Sequence, residues 1–365
     1  MIDELLTELP ETNEFQKFLM AYKADGHKNV VVCGCGNQGL PNALLLQEMG
    51  ARVWAFADND DEKIGTCVKG IRVMSYDDLA LEKEHCLFVN NDSYRDAKKD
   101  QLVSLGVPLE NIFTFDIFNP LIKVLDREYI MQHKGEFDRV YAMLSDQASR
   151  NTYIKYLSAA ITGDMDYYKQ IEVGSDYFIP GLTPERDDHV YLDIGAYTGD
   201  TIESFMEFAK GRYEKIYAFE PFESSARLIE EKNFPKIDIH IASASDSTGQ
   251  KSFYLDNYGL VAMASTIKKD GEEICLATET IDDAIKDGKA TLIKMDIEGS
   301  ELAALHGAER TIIRNKPFLA ICVYHKKEDL ISIIPYIKQI VPEYKVYLRH
   351  HSNTGCDLVA YFVVD

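Results

Sequence analysis

The chain has 365 residues, room for two domains of roughly 150 residues and a connecting segment, and its 46% hydrophobic and 27% charged content excludes a disordered or collagen-like chain. Sixty acidic residues against 39 Lys and Arg give a formal net charge of -21, which repels polyphosphate, so no nucleic-acid groove and no anionic membrane surface is expected. The seven cysteines form no pair of C-x-x-C motifs, no run of 18 apolar residues occurs, and the opening MIDELLTELPETNEF lacks the apolar core of a signal peptide; a cytoplasmic protein with free thiols and no membrane span is the expectation.

Residues 1–27 read as a helix or two, ending near Asp25-Gly26. NVVVC (29–33) is a continuous apolar run, the mark of a strand buried on both faces. A glycine turn, a helix (Pro41 to Met49) and a second strand, RVWAFAD, come next. Further strands are expected at Ile71–Met74, Cys86–Asn90 and Asn111–Phe115, closing a parallel, crossover-connected unit near Pro120. Within it, Gly34-x-Gly36-x-x-Gly39 follows a strand and opens a helix, and Asp58 ends the next strand. That is the dinucleotide fingerprint in its usual context. Gly34, Gly36, Gly39 and Asp58 are therefore candidates for a second nucleotide-type ligand or for substrate binding. A recognition domain that binds no nucleotide fits the same residues.

Residues 121–180 carry apolar residues at helical spacing, with stops and caps at Ser145-Asp146 and Thr162-Gly163-Asp164. They read as a helical connector packed onto the second domain. From His189 strand and helix alternate again: HVYLDIGAY, KIYAFEP, DIHIASASD, TLIKMDIEG and FLAICVYH. The end differs. YKVYLRHH, a polar turn and LVAYFVVD form an antiparallel hairpin on an otherwise parallel sheet. The expected division is 1–122, a Rossmann-like unit; 123–185, the connector; and 186–365, a second Rossmann-like unit. The fold class is α/β with two doubly wound domains.

Chemistry concentrates in the second unit. Asp193 ends its first strand, Gly195 and Gly199 follow in a turn that opens a helix, and Glu220 ends the second strand. A carboxylate at that position accepts both hydroxyls of a ribose. Ser245 and Asp246 end the expected third strand, placed for an adenine edge. Asp193 would repel a pyrophosphate, so a ligand with an ammonium and a sulfonium suits this turn better than a dinucleotide.

The pieces VYLDIGAYTGDTIESF, IYAFEPFESSARLI, ASASDSTGQKSFY and LIKMDIEGSELAALHGAERTI resemble the FkbM family of methyltransferases, and K-x-D-x-E-G-x-E-x-x-x-L-x-G at Lys294 to Gly307 is the most specific of them. The resemblance implies a class I methyltransferase fold, a mostly parallel seven-stranded sheet with a terminal antiparallel hairpin. It implies S-adenosyl-L-methionine as cofactor and an enzyme that mostly methylates hydroxyl groups, often on sugars or glycan-like small molecules. By position it assigns Asp193, Gly195, Tyr197 and Gly199 to the methionine side of the cofactor. Glu220 with Pro221 falls to the ribose, and Ser245 and Asp246 to the adenine. Tyr197 stands where many relatives have Asn. Asp296 and Glu298 face the departing methyl group. His325 ends the fifth strand and is the candidate general base, with Glu298 or Asp296 serving directly or orienting it. No metal is expected. Rival readings are an NAD(P)-dependent oxidoreductase built on the first glycine loop and a non-catalytic nucleotide-binding protein.

Overall fold

A computed structural model of the chain describes residues 1–24, 28–36, 38–117, 125–174, 177–255, 264–265, 272–286 and 288–364. The expected helix end at Asp25-Gly26, the unit's close near Pro120 and the boundary at 122/123 lie outside the described residues.

The first sheet has six strands: β1 (Asn29–Cys33), β2 (Val53–Ala57), β3 (Cys67–Val68), β4 (Ile71–Met74), β5 (Cys86–Val89) and β6 (Ile112–Phe113), in the order β3-β4-β2-β1-β5-β6. All neighbours are parallel except β3 and β4, a small hairpin that periodicity does not reveal in two residues. Both faces are covered, as the apolar run of β1 requires. Val30 and Val32 enter one core with Phe18 and Leu46, while Val31 and Cys33 enter another with Leu79 and Leu102.

Three connector helices come next, Arg127–Gln132, Lys134–Met143 and Gln147–Thr162. Asp126 caps the first by accepting from the Tyr129 N–H, and Asp146 caps the third by accepting from the Ser149 N–H. Gly163 ends the third at φ +69°, in the left-handed conformation that glycine tolerates. The helix Gln147–Thr162 packs against the last hairpin: the Ser149 hydroxyl accepts from the Leu348 N–H at 2.9 Å, and Arg349 pairs with Asp146 at 2.6 Å.

The second large sheet begins with β7 (Val190–Ile194), β8 (Lys215–Phe219) and β9 (Ile237–His240). The chain then leaves it for a four-stranded sheet of β10 (Ser243–Ala244), β11 (Gly249–Leu255), β12 (Ala264–Ser265) and β13 (Glu272–Glu279), ordered β10-β13-β11-β12. It returns with β14 (Leu292–Met295), β15 (Phe318–Cys322), β16 (Lys345–His350) and β17 (Leu358–Val363). The order is β16-β17-β15-β14-β7-β8-β9, with β17 antiparallel to both of its neighbours. This is the expected seven-stranded sheet, and its last strand sits between β15 and β16 rather than at the edge. The four-stranded sheet is an addition. It also corrects the third strand: DIHIASASD is not continuous, because β9 stops at His240 and Ser243–Ala244 pairs with β13 instead.

The strand order reverses between β7 and β14, which are parallel neighbours. Their carboxyl ends flank the crevice where open α/β sheets bind ligands.

Candidate cofactor pocket

A cavity of about 530 Å³ opens over those strand ends. Its floor is the turn after β7. Gly195 has φ +84°, and a Cβ there would collide with the Asp296 carbonyl oxygen, so the glycine lets the β7 and β14 turns touch. Gly199 has φ +83° and packs under the Phe234 ring. Tyr197 between them lines the cavity and is 44% exposed. At φ +45° it occupies a left-handed conformation that costs a tyrosine more than it would an Asn.

Glu220 forms one wall. Its carboxylate accepts the Tyr197 N–H and the Phe222 N–H, each at 2.9 Å. These bonds fix the carboxylate toward the cavity, which Pro221 and Phe222 also line. Burial pushes the Glu220 carboxyl up to about 7, only partly offset by the two N–H donors.

At the far wall stand Asp296, Glu298, Tyr177, His351 and Asp357. The Tyr177 hydroxyl donates to Asp296 at 3.0 Å and the Tyr324 hydroxyl at 3.4 Å. Burial opposes the Asp296 charge, but Lys294 and His325 outweigh it and hold this carboxyl below its usual range. Glu298 has φ +54° and Asp357 φ +63°. With Tyr197, three non-glycine residues in left-handed backbone therefore line one cavity, the clustering expected of a functional site. Burial, then the neighbouring Asp296 charge, raises the Asp357 carboxyl to about 6.

Not every expected residue reaches the cavity. The His325 side chain is 1% exposed and lies beneath it. Its Nε2 is 3.3 Å from both Asp296 and Glu298, and its Nδ1 is 2.9 Å from Glu301. Burial disfavours its charge, yet Glu301, Glu298 and Asp296 together push it up to about 10. An imidazolium has no lone pair with which to take a proton. Asp296, Glu301 and His325 offer atoms within 4.8 Å of one another, close enough to hold an ion. Asp193 is fully buried, bonded by the Thr201 hydroxyl and paired with Lys294 at 3.3 Å. Ser245 and Asp246 follow β10 and both engage Lys251 rather than line the cavity. The wall near Glu220 is made by Phe222, Ser243, Phe253 and Leu276 instead.

The residues of the first glycine loop are not among those lining this cavity. Gly34 has φ +94°, and a Cβ on Gly39 would strike the Gly34 carbonyl, so both glycines serve a tight turn. Gly36 has open space around it. The Asp58 carboxylate, expected at a ribose, already accepts from the Cys35 and Asp60 N–H groups at 3.0 and 3.1 Å. Lys98, paired with Asp92 and bonded to the Cys33 carbonyl, stands over Gly34 where a phosphate would approach.

Sequence reasoning missed Tyr177, Lys294, Phe253, Leu276, His351 and Asp357 as cavity residues. Lys294 had a signal, since it opens the most specific motif. His351 and Asp357 bracket the polar turn of the hairpin, which marks a loop but names no role.

The doubly wound seven-stranded sheet, with its pocket at the switch point, defines a Rossmann-like methyltransferase fold. Residues 193–346 match the methyltransferase FkbM domain. The fold as a whole is similar to the crystal structure of methyltransferase FkbM from Methylobacillus flagellatus KT, with a TM-score of 0.74 and 24% identity over 99% of this chain and 97% of that one. Lesser likenesses are to Aeropyrum pernix fibrillarin in complex with natively bound S-adenosyl-L-methionine (TM-score 0.34, 10% identity, 51% of this chain and 70% of that one). SMU.1697c from Streptococcus mutans in complex with SAH is similar to the same degree (TM-score 0.30, 12% identity, 54% and 94%). No curated protein matches the chain. Among the described residues no helix is long and apolar enough to cross a membrane.

Proposed function

We propose that the protein transfers the methyl group of S-adenosyl-L-methionine to a hydroxyl of a sugar, glycan or related small molecule. The observation that carries this reading is Glu220, a carboxylate fixed by two backbone N–H groups on the wall of a switch-point cavity in a methyltransferase-family domain. In this reading Glu220 accepts the ribose hydroxyls. Phe222, Phe253 and Leu276 give the adenine an apolar slot, and the methyl group points at Asp296, Glu298, Tyr177 and Asp357.

Methyl transfer is an in-line displacement. The acceptor oxygen bonds to the methyl carbon as the carbon–sulfur bond breaks, and S-adenosylhomocysteine leaves. Much of the acceleration comes from holding the oxygen in line, about 3 Å from the carbon. The hydroxyl proton needs an acceptor. His325, already charged, is a positioning group that holds Asp296 and Glu298 in place. Asp357 takes the proton in its stead: it lines the cavity, and a carboxyl near 6 is ionised at neutral pH yet basic enough to receive a proton. The polar groups at this end, three carboxylates, Tyr177 and His351, suit an acceptor with several hydroxyls.

The test is incubation of the purified protein with methyl-labelled S-adenosylmethionine and a metabolite and glycan extract. Label in a hydroxylated small molecule or glycan, stable to mild base as a methyl ether, supports the reading. Transfer only to amines, or to no extract component, overturns it.

A further inference from the structure

Lys294 and Asp193 stand in register on the parallel strands β14 and β7. The Lys294 ammonium donates to the Gly195 carbonyl at 2.8 Å and lies 3.3 Å from Asp193 Oδ1. The acid at the glycine turn is the feature that favours a cofactor's ammonium, and here a lysine of the protein already occupies it. Asp193 does not line the cavity, whereas Lys294 does, although only 3% of its side chain is exposed. Burial works against the lysine's charge, but the carboxylates of Asp193 and Asp296 outweigh it and keep it protonated. The cavity wall beside the turn is therefore cationic. An ammonium has three N–H donors, and the Gly195 carbonyl takes one of them.

We propose that Lys294 binds the carboxylate of the cofactor's amino-acid end, with Asp193 beneath it holding the lysine rather than touching the cofactor. A buried ammonium beside the glycine turn attracts that carboxylate and repels the cofactor's own ammonium. The amino-acid end then lies with its carboxylate on Lys294 and its ammonium turned away. The proposal rests on the cofactor reading above.

Calorimetry with two probes tests it. S-adenosylhomocysteine carries the amino-acid end, and 5′-methylthioadenosine keeps the adenosine and thioether without it. Lys294→Met alone would strand a buried carboxylate, so the variant is Asp193→Asn/Lys294→Met, with Asp193→Asn as its control. The expected result is about a tenfold or greater loss of S-adenosylhomocysteine affinity in the double variant, the scale of one charge-assisted hydrogen bond. Affinity for 5′-methylthioadenosine stays unchanged in both variants, and Asp193→Asn alone loses less S-adenosylhomocysteine affinity than the double variant. Wild-type protein supplies an arm that needs no variant: the carboxamide of S-adenosylhomocysteine, which keeps the ammonium but loses the anion, binds about tenfold or more weakly than the acid. Equal affinity for acid and carboxamide overturns the proposal. So does equal loss of both probes in the double variant, or the full loss in the control. If wild type binds neither probe, the cofactor reading falls and this assignment with it.

Discussion

Glu220 combines two opposed demands. Burial favours its neutral form, with the carboxyl pushed up to about 7, while a ribose needs it ionised. Cofactor binding should therefore depend on pH. Affinity for S-adenosylhomocysteine is expected to be full well above pH 7 and to fall by up to about tenfold per unit below it, since one pKa unit is about 1.4 kcal/mol. Titration calorimetry between pH 5.5 and 8.5 checks this, with Glu220→Gln expected to bind weakly and without pH dependence. A wild-type affinity flat across that range would remove Glu220 from the ribose. His325 gives the complementary case. Its folded value, about 10, stands above the usual 6.5. The stability it contributes is present below pH 6.5 and is lost as pH rises toward 10. Thermal unfolding should show the midpoint of wild type falling over that window, and His325→Gln should flatten the fall. An unaltered slope in the variant would mean the imidazole is not held charged by its three carboxylates. Were those carboxylates instead holding a metal, a chelator would lower the wild-type midpoint and magnesium would restore it.

Elements carried different amounts of signal. The central strands of both large sheets were legible because they are buried on both faces, so NVVVC and VYLDI read as nearly unbroken apolar runs. The four-stranded sheet was not, because β13, EEICLATE, is exposed or half-buried at every position but Thr278 and so carries no apolar run. Glu220 and the glycine turn were legible from spacing along the chain. Of the opposite wall only Asp296 and Glu298 were legible, because Tyr177 and Asp357 come from distant segments that only the fold brings to them. The hairpin turn between β16 and β17 belongs to that wall, and it is held from the first sheet's side. The Arg95 guanidinium, almost fully buried, donates to the Asn353 carbonyl at 2.9 Å and the Met165 carbonyl at 3.1 Å. The Asn353 amide donates to the Ser93 carbonyl at 3.1 Å. Arg95→Ala should loosen the turn that carries His351 and Asp357 while leaving Glu220 untouched. The expected outcome is a lower kcat/KM for the acceptor with unchanged S-adenosylhomocysteine affinity. Equal loss of both would mean that Arg95 supports the fold at large.

Across the whole molecule the order of the chain and the order of the cores differ. The helix Ile2–Glu8 opens the sequence, yet Ile2 and Leu5 are buried in the core of the second sheet, with Phe137, Val140 and Ile334. The Ile2 N–H donates to Asp138 at 3.1 Å, and Arg127 donates to the Leu6, Leu9 and Pro10 carbonyls. Ile2→Ala should destabilise the protein by about 2–5 kcal/mol, the usual range for a buried aliphatic truncated to Ala. A fragment of residues 125–365 should unfold at lower temperature than the full chain, and adding a synthetic peptide of residues 1–12 should recover part of the difference. An Ile2→Ala variant as stable as wild type would show that the helix only rests on the surface. The placement of that helix also changes what kind of object the six-stranded unit is. It is an insertion in the sequence, spliced between the first helix and the body that helix packs on. A single proteolytic cut between the helix Ile2–Glu8 and the helix Glu14–Ala24 would therefore leave two fragments that still travel as one particle.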